Sequence, residues 1–243
     1  MAKTSYGTCA LCGKQTSKGG MTRHLKTCPA EHDVNHGKPA ALIHLRVEGA
    51  YEPFYWIDIE VRADASLRKL DRFLRDIWLE CCGHLSMFRA GNTHYQMDGA
   101  SSGEFDDSFG ALQKSFPLVD QKTLEKIWAN YPRERSMDIV LGDVVGSSPK
   151  FSHEYDFGST TVLNLKVMGE RTGRIKRGPI RLLARNDAPE FTCAVCDAPA
   201  TQIDVEAMYE EENPFFCNKH AKKRDILLPV VNSPRMGVCG YAG

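Results

Sequence analysis

The sequence predicts an α+β fold, in which a mainly antiparallel sheet and a packed helix form a two-layer core between two small cysteine- and histidine-rich modules. Three observations predict it. Two pairs of segments alternate apolar and polar residues as strands do, an apolar stripe at helical spacing lies between the pairs, and a quartet of cysteines and histidines lies near each end of the chain. The order hairpin, helix, hairpin is that of an α+β domain.

The first quartet has the spacing of a zinc finger: Cys9-x2-Cys12-x11-His24-x3-Cys28. Thiolate and imidazole groups bind Zn²⁺ tetrahedrally, and four protein ligands leave no open position for a substrate. A short helix is predicted over residues 21–28, which places His24 and Cys28 on one helix face. The spacing is similar to that of DNA-binding zinc fingers with two cysteines and two histidines, except that a cysteine takes the last position. His32 and His36 are alternative fourth ligands.

The central segment predicts two hairpins separated by helices. Apolar residues alternate over 43–47 and 55–61, which predicts the first hairpin. Ser66 is expected to cap a helix whose apolar stripe runs to Cys81 and which Gly83 ends. The further expectations are a surface loop over 97–120, a short helix over 137–145 and a second hairpin over 151–167.

The second quartet lies near the C-terminus: Cys193-x2-Cys196-x20-Cys217-x2-His220. This pattern predicts a zinc-ribbon or treble-clef-like module, because a Cys-x2-Cys turn is followed by a second ligand pair across a long loop. Two complete quartets predict two structural Zn²⁺ per chain. The expected divisions of the chain are 1–38 (zinc finger and linker), 39–168 (α+β domain), 169–189 (basic linker) and 190–243 (second zinc module and C-terminal tail).

Charge and composition limit the classes of function. The net charge is zero, which argues against a uniformly cationic nucleic-acid binder, but segment 166–185 carries seven Lys or Arg residues against Glu170 alone. No apolar run approaches the roughly 18–20 residues of a membrane span, and the N-terminus lacks the apolar core of a signal peptide. We therefore expect a cytoplasmic protein without a membrane partner, whose cysteines are metal ligands rather than disulfides.

Residues 41–168 resemble a known family, the proteins related to the third open reading frame of an Agrobacterium Ri plasmid. The resemblance is carried by the helical motif LRKLDRFLRDIWLECCGHLS over 67–86 and by YDFGS over 155–159. It implies an α+β domain and transfers no catalytic residue. Members are often labelled insertion-element passenger or resolvase-like proteins, but serine-recombinase chemistry needs a nucleophilic serine among several arginines. The helix-capping role explains Ser66 more simply.

Several acidic side chains are candidates for catalytic or metal-binding groups. Asp58 and Glu60 share one face of a predicted strand and could act as acid and base, although a solvated or ion-paired face is the simpler interpretation. Glu104, Asp106 and Asp107 lack the regular ligand spacing of a calcium-binding loop. The sequence therefore predicts no catalytic residue and no enzyme.

The remaining cysteines allow two interpretations. Cys81, Cys82 and His84 could form a third metal or redox site, but Cys81 lies on the apolar stripe, and cysteine packs well in cores. We therefore expect it to be a packing residue. Cys239 is left without a partner in this assignment.

The sequence as a whole predicts a zinc-stabilised, non-enzymatic binding protein. Nucleic acid is the expected partner, because the basic finger and segment 166–185 suit phosphate contacts. The alternative is a protein–protein adaptor whose zinc modules present an interaction surface. The sequence does not determine the oligomeric state.

Overall fold

The computed structural model describes residues 5–97, 109–210 and 212–243. The strands in this part of the chain are β1 (Tyr6–Cys9), β2 (Gln15–Ser17), β3 (Ala40–Gly49), β4 (Trp56–Arg62), β5 (Ser86–Ala90), β6 (Thr93–Gln96), β7 (Arg133–Ser136), β8 (Lys150–Tyr155), β9 (Thr161–Gly173), β10 (Ile180–Asn186), β11 (Gln202–Asp204), β12 (Phe215–Phe216) and β13 (Leu227–Pro229).

Ten of these strands form one sheet, in the order β2-β1-β10-β4-β3-β9-β8-β5-β6-β7. Neighbours run antiparallel except β6 and β7, which are parallel. The other three form a small sheet in the order β12-β11-β13. The predicted α+β class, with a mainly antiparallel sheet and few helices, is confirmed.

The helices are short. They are α1 (Lys18–His24), α2 (Cys28–Glu31), α3 (Leu67–Leu74), α4 (Phe109–Ser115), α5 (Gln121–Asn130), α6 (Leu141–Ser147), α7 (Val205–Tyr209) and α8 (Asn218–Ala221). A π-helical turn, Arg75–Leu79, continues α3. None of the helices in the described ranges has both the length and the apolarity needed to cross a bilayer.

The main core lies between α3 and one face of the sheet. Leu70, Leu74 and Trp78 are fully buried, and they belong to the same apolar cluster as Ile57 and Ile59 of β4. Each such side chain contributes ~1.5–3 kcal/mol by leaving water. The apolar face of the strand, which repeats every two residues, therefore packs against the apolar face of the helix, which repeats every 3.6 residues, as the sequence predicts.

The opposite face of β4 is also covered, here by the N-terminal module. Trp56 packs with Met21 and Leu25 of this module and with Leu183 of β10. Gly7 of β1 lies so close to this contact that a β-carbon there would collide with the Arg185 carbonyl and would approach the Trp56 ring to 2.6 Å. The small hairpin of the finger is thus part of the main sheet.

The segment predicted as a basic linker, 169–189, is largely strand. β9 extends through Gly173, and β10 lies between β1 and β4 with antiparallel pairing to both. Its charges are accommodated by ion pairs: Arg171 contacts Asp33 and Glu60, and Arg181 also contacts Glu60. In sequence the segment resembles a linker, because the acidic partners of its arginines lie more than a hundred positions away. A local count of charges does not include them.

Three local predictions need correction. The helix predicted over 21–28 is broken between His24, where α1 ends, and Cys28, where α2 begins. The helix predicted over 137–145 is α6, which starts at Leu141. The long central helix ends at Leu79 rather than near Gly83, because the Glu80 carboxylate accepts hydrogen bonds from Gly83 N and Arg75 Nε, both at 2.6 Å, and so stabilises a turn.

The surface loop predicted over 97–120 is only partly described. Helix α4 occupies its second half. The carboxylates considered as cation ligands, Glu104, Asp106 and Asp107, lie outside the described residues.

Candidate metal centres

The N-terminal quartet converges at the junction of β1, α1 and α2. Cys9 ends β1, Cys12 lies in the turn that follows, His24 ends α1 and Cys28 begins α2. Their ligand atoms all lie within 4.8 Å of one another. The Ser17 side chain caps α1 by accepting a hydrogen bond from Gly20 N at 3.2 Å, which fixes where this helix starts.

The distances match a tetrahedral zinc site. With Zn–S near 2.3 Å and Zn–N near 2.0–2.1 Å, tetrahedral geometry places two sulfurs about 3.8 Å apart and a sulfur and a nitrogen about 3.6 Å apart. Cys9 Sγ lies 3.8 Å from Cys28 Sγ, and Cys12 Sγ lies 3.3 Å from His24 Nε2. The residues present therefore fit a four-coordinate metal ion.

The thiols of this quartet differ in their electrostatics. Burial raises the pKa of the Cys28 thiol to about 12, whereas a backbone hydrogen bond from Lys14 lowers the pKa of the exposed Cys12 thiol. A metal ion displaces the thiol proton when it binds, so the metal–thiolate bond would offset the cost of deprotonating Cys28.

The alternative fourth ligands lie beside the quartet. His32 Nδ1 lies 2.8 Å from the Cys28 carbonyl oxygen and 3.6 Å from Cys28 Sγ. His36 is an exposed residue in the segment that leads to β3. The compact group of four contains Cys28 and neither of these histidines.

The C-terminal quartet is equally compact. His220 Nδ1 lies 3.4 Å from both Cys193 Sγ and Cys196 Sγ and 3.5 Å from Cys217 Sγ, and Cys196 Sγ lies 3.9 Å from Cys217 Sγ. These values also match the tetrahedral distances of a zinc ion with three thiolate ligands and one imidazole ligand. Since all four positions would be taken by protein, such a centre is structural.

Backbone geometry favours the thiolate form at Cys193. Cys193 N donates to the Ala198 carbonyl at 3.0 Å, which closes the turn between the paired cysteines, and Val195 N points at Cys193 Sγ from 3.5 Å. Burial opposes ionisation, but backbone N–H groups near Cys217 and Val195 and the His220 side chain outweigh it and lower the pKa of Cys193 to about 6. The lowered pKa of this thiol favours the thiolate form, which is the form that binds a metal ion, near neutral pH.

A third group of possible metal ligands corrects one part of the sequence interpretation of the remaining cysteines. Cys81, Cys82, His84 and Cys239 also have ligand atoms within 4.8 Å of one another. The sequence predicts a packed Cys81 and an unpartnered Cys239. Cys81 does pack against the main core, although it lies beyond Leu79, where the helix ends, in the loop with its neighbours. The expectation that is wrong is the one for Cys239, whose Sγ lies 3.2 Å from His84 Nε2. The sequence contained one indication of this group, because three cysteines remain after the two quartets are filled.

The carboxylates considered as an acid–base pair are held in ion pairs instead. Asp58 is fully buried and accepts from Arg46 Nη2 at 2.6 Å and lies 2.8 Å from His44 Nε2. Glu60, also buried, accepts from Arg171 Nε at 2.6 Å. Their arrangement is the ion-paired face that the sequence suggested.

Comparisons with known proteins leave the family undetermined. No protein-family model and no curated protein matches the chain. A solved structure, a protein of unknown function (MM3350) from Methanosarcina mazei Go1, aligns with 62% of this chain and 70% of its own, at 14% identity and a TM-score of 0.39.

Proposed function

We propose that this protein is a zinc-stabilised, non-enzymatic nucleic-acid-binding protein, in which the terminal quartets each hold one Zn²⁺. The observation that carries the zinc assignment is the agreement of the sulfur–sulfur and sulfur–nitrogen distances in both quartets with a tetrahedral ion. The ions would hold each small module in shape, because neither module has an extensive apolar core.

The proposed contact region, which we call the basic surface, combines the finger with the turn between β9 and β10. Arg174 ties the turn to the segment that follows the finger: its N donates to Asp33 Oδ2 at 3.0 Å and its Nε to the Gly37 carbonyl at 2.9 Å. We assign five exposed cations of the finger, the linker after it and the turn to the basic surface: Arg23, Lys26, Lys38, Lys176 and Arg177. Phosphate contacts by such side chains supply most of the affinity of non-specific binding.

Internal ion pairs reduce the number of cations available for phosphate. Arg171 and Arg181 are directed towards Asp33 and Glu60, and Arg185 donates to the Asn232 carbonyl. The net charge of zero is consistent with a weak, strongly salt-dependent binder rather than a high-affinity one.

The test is a salt titration of binding to double-stranded DNA by fluorescence anisotropy. If Lys176 and Arg177 each neutralise one phosphate, the variant Lys176→Ala/Arg177→Ala should bind all sequences more weakly. Its slope of log K against log salt should be shallower by about 1.8, since each phosphate contributes about 0.9. The charge-matched control is Lys114→Ala/Lys122→Ala, which removes two exposed lysines from α4 and α5. Equal slopes for both variants, or no DNA binding at low salt, would refute the nucleic-acid assignment.

The alternative function is a protein–protein adaptor. Its supporting observation is that the C-terminal module, beside an acidic stretch, exposes Val195 at 62% and Ile226 at 50%. Contiguous exposed apolar side chains mark interaction surfaces, and the adaptor hypothesis places these two in one such patch. The adaptor is favoured if the wild-type protein binds no DNA at low salt and binds a protein partner that the Val195→Asp variant no longer binds.

A further inference from the structure

The loop after the π-helical turn meets the C-terminal tail at the third group of metal-ligand residues. Cys81, Cys82 and His84 come from the loop and Cys239 from the tail, and all four ligand atoms lie within 4.8 Å of one another. His84 Nε2 lies 3.2 Å from Cys239 Sγ. We propose that these side chains form a third zinc site, which fastens the tail to the core independently of any nucleic-acid binding.

The cysteine inventory supports this assignment. The chain has nine cysteines, and each belongs to one of three groups that contain three cysteines and one histidine. Three thiolates and an imidazole are a soft ligand set that suits Zn²⁺ in tetrahedral coordination. The third group therefore has the same donor chemistry as the two terminal quartets, although its members come from distant parts of the sequence.

One of the proposed ligands, Cys239, has an unusual backbone conformation, and glycines with positive φ lie beside the ligands. Cys239 has φ 54°, and it lies between Gly237 at φ 79° and Gly240 at φ 83°; Gly83, between two ligands in the loop, has φ 72°. Among the described non-glycine residues, only Cys239 and Asp156 have positive φ. A non-glycine residue with such a backbone conformation is strained and keeps it only where the surroundings enforce it, as a metal–sulfur bond would at Cys239.

A buried cation lies next to the proposed site. Arg235 is fully buried, and its Nη2 donates to Asp156 Oδ2 at 2.7 Å and to Cys81 Sγ at 3.5 Å. Three thiolates around Zn²⁺ leave one net negative charge, so an N–H donor that points at a ligand sulfur is favourable. Outer contacts of this kind orient metal ligands and stabilise their ionised form.

The proposed site would join parts of the chain that are 155 residues apart, the separation of His84 and Cys239. The same tail already crosses the π-helical turn, where Trp78 Nε1 donates to the Asn232 carbonyl at 3.1 Å and Ser233 Oγ donates to the Trp78 carbonyl at 2.7 Å. A cross-link over so long a loop removes much freedom from the unfolded chain. The ion would thus hold the last residues of the tail on the core.

Native mass spectrometry of the full chain, purified without chelator, tests the proposal. Wild type should carry three zinc ions, and Cys239→Ser and Cys82→Ser should each carry two. Both substitutions are at exposed positions. Val238→Ala, which changes the neighbour of Cys239 and keeps all ligands, should carry three. Circular dichroism of each variant checks that it is folded.

A second measurement needs no variant. In zinc-loaded wild type, Cys82 and Cys239 should resist alkylation in spite of their exposure, and they should react once a chelator removes the metal. A Cys239→Ser variant that keeps the wild-type metal count would overturn the proposal, whatever the occupancy of the terminal quartets. Rapid alkylation of both thiols in the loaded protein, or a disulfide between them, would also overturn it.

Discussion

Replacing Trp78 by alanine should remove a large part of the stability of the main core. Its side chain is fully buried between the helix and the sheet. A buried aromatic side chain removes about 150–250 Å² from water, and Trp→Ala changes cost about 3–5 kcal/mol with the cavity included. Loss of the Nε1–H leaves the Asn232 carbonyl without this donor, which adds about 1 kcal/mol. We therefore expect a total loss of about 4–6 kcal/mol.

Urea denaturation followed by circular dichroism, with zinc present throughout, measures this loss. Tyr51→Ala is the control, because Tyr51 is an aromatic residue that is 84% exposed, and its replacement should change the free energy of unfolding by less than about 0.5 kcal/mol. Hydrogen exchange should also show faster exchange in the tail around Asn232. A loss below about 2 kcal/mol for Trp78→Ala would mean that the cost of lost burial and of an unfilled cavity has been overestimated at this interface.

Two further predictions concern the attached modules. Cys196→Ser should speed hydrogen exchange over residues 190–225 and leave α3 protected, because it removes one ligand of the C-terminal quartet; equal loss of protection in α3 would show that the module and core unfold together. The hydrogen bond from Arg171 lowers the pKa of Asp33 in the folded protein. The ion pair therefore stabilises the fold above the unfolded pKa of about 3.9, and this contribution is lost as the pH falls through the lower folded value. The stability difference between wild type and Asp33→Asn should be constant near neutral pH and shrink in acid; a difference that grows in acid would contradict the assigned sign.

The local patterns of the sequence were sufficient for the four strands of the two central hairpins, β3, β4, β8 and β9, and for the spacing of both terminal quartets. The alternation in β3 and β4 and the apolar stripe of α3 depend on periodicities of two and 3.6 residues, which hold wherever the element packs. The quartets were recognisable because their ligands come in short, regular spacings. Zinc binding by these quartets is a proposal that rests on their geometry, and the nucleic-acid partner is a proposal that rests on the basic surface.

Tertiary structure decided what depends on contacts between distant residues. The basic segment contains strand β10, which pairs with β1 and β4. Asp33 and Glu60, which are far from it in sequence, form ion pairs with its Arg171 and Arg181. Cys239 meets Cys82 and His84 only because the tail folds back over the core. A sequence specifies which ligands and charges exist, and local spacing determines the contacts between those that are close along the chain. The pairing of distant ones depends on how the whole chain closes on itself, which no local pattern encodes.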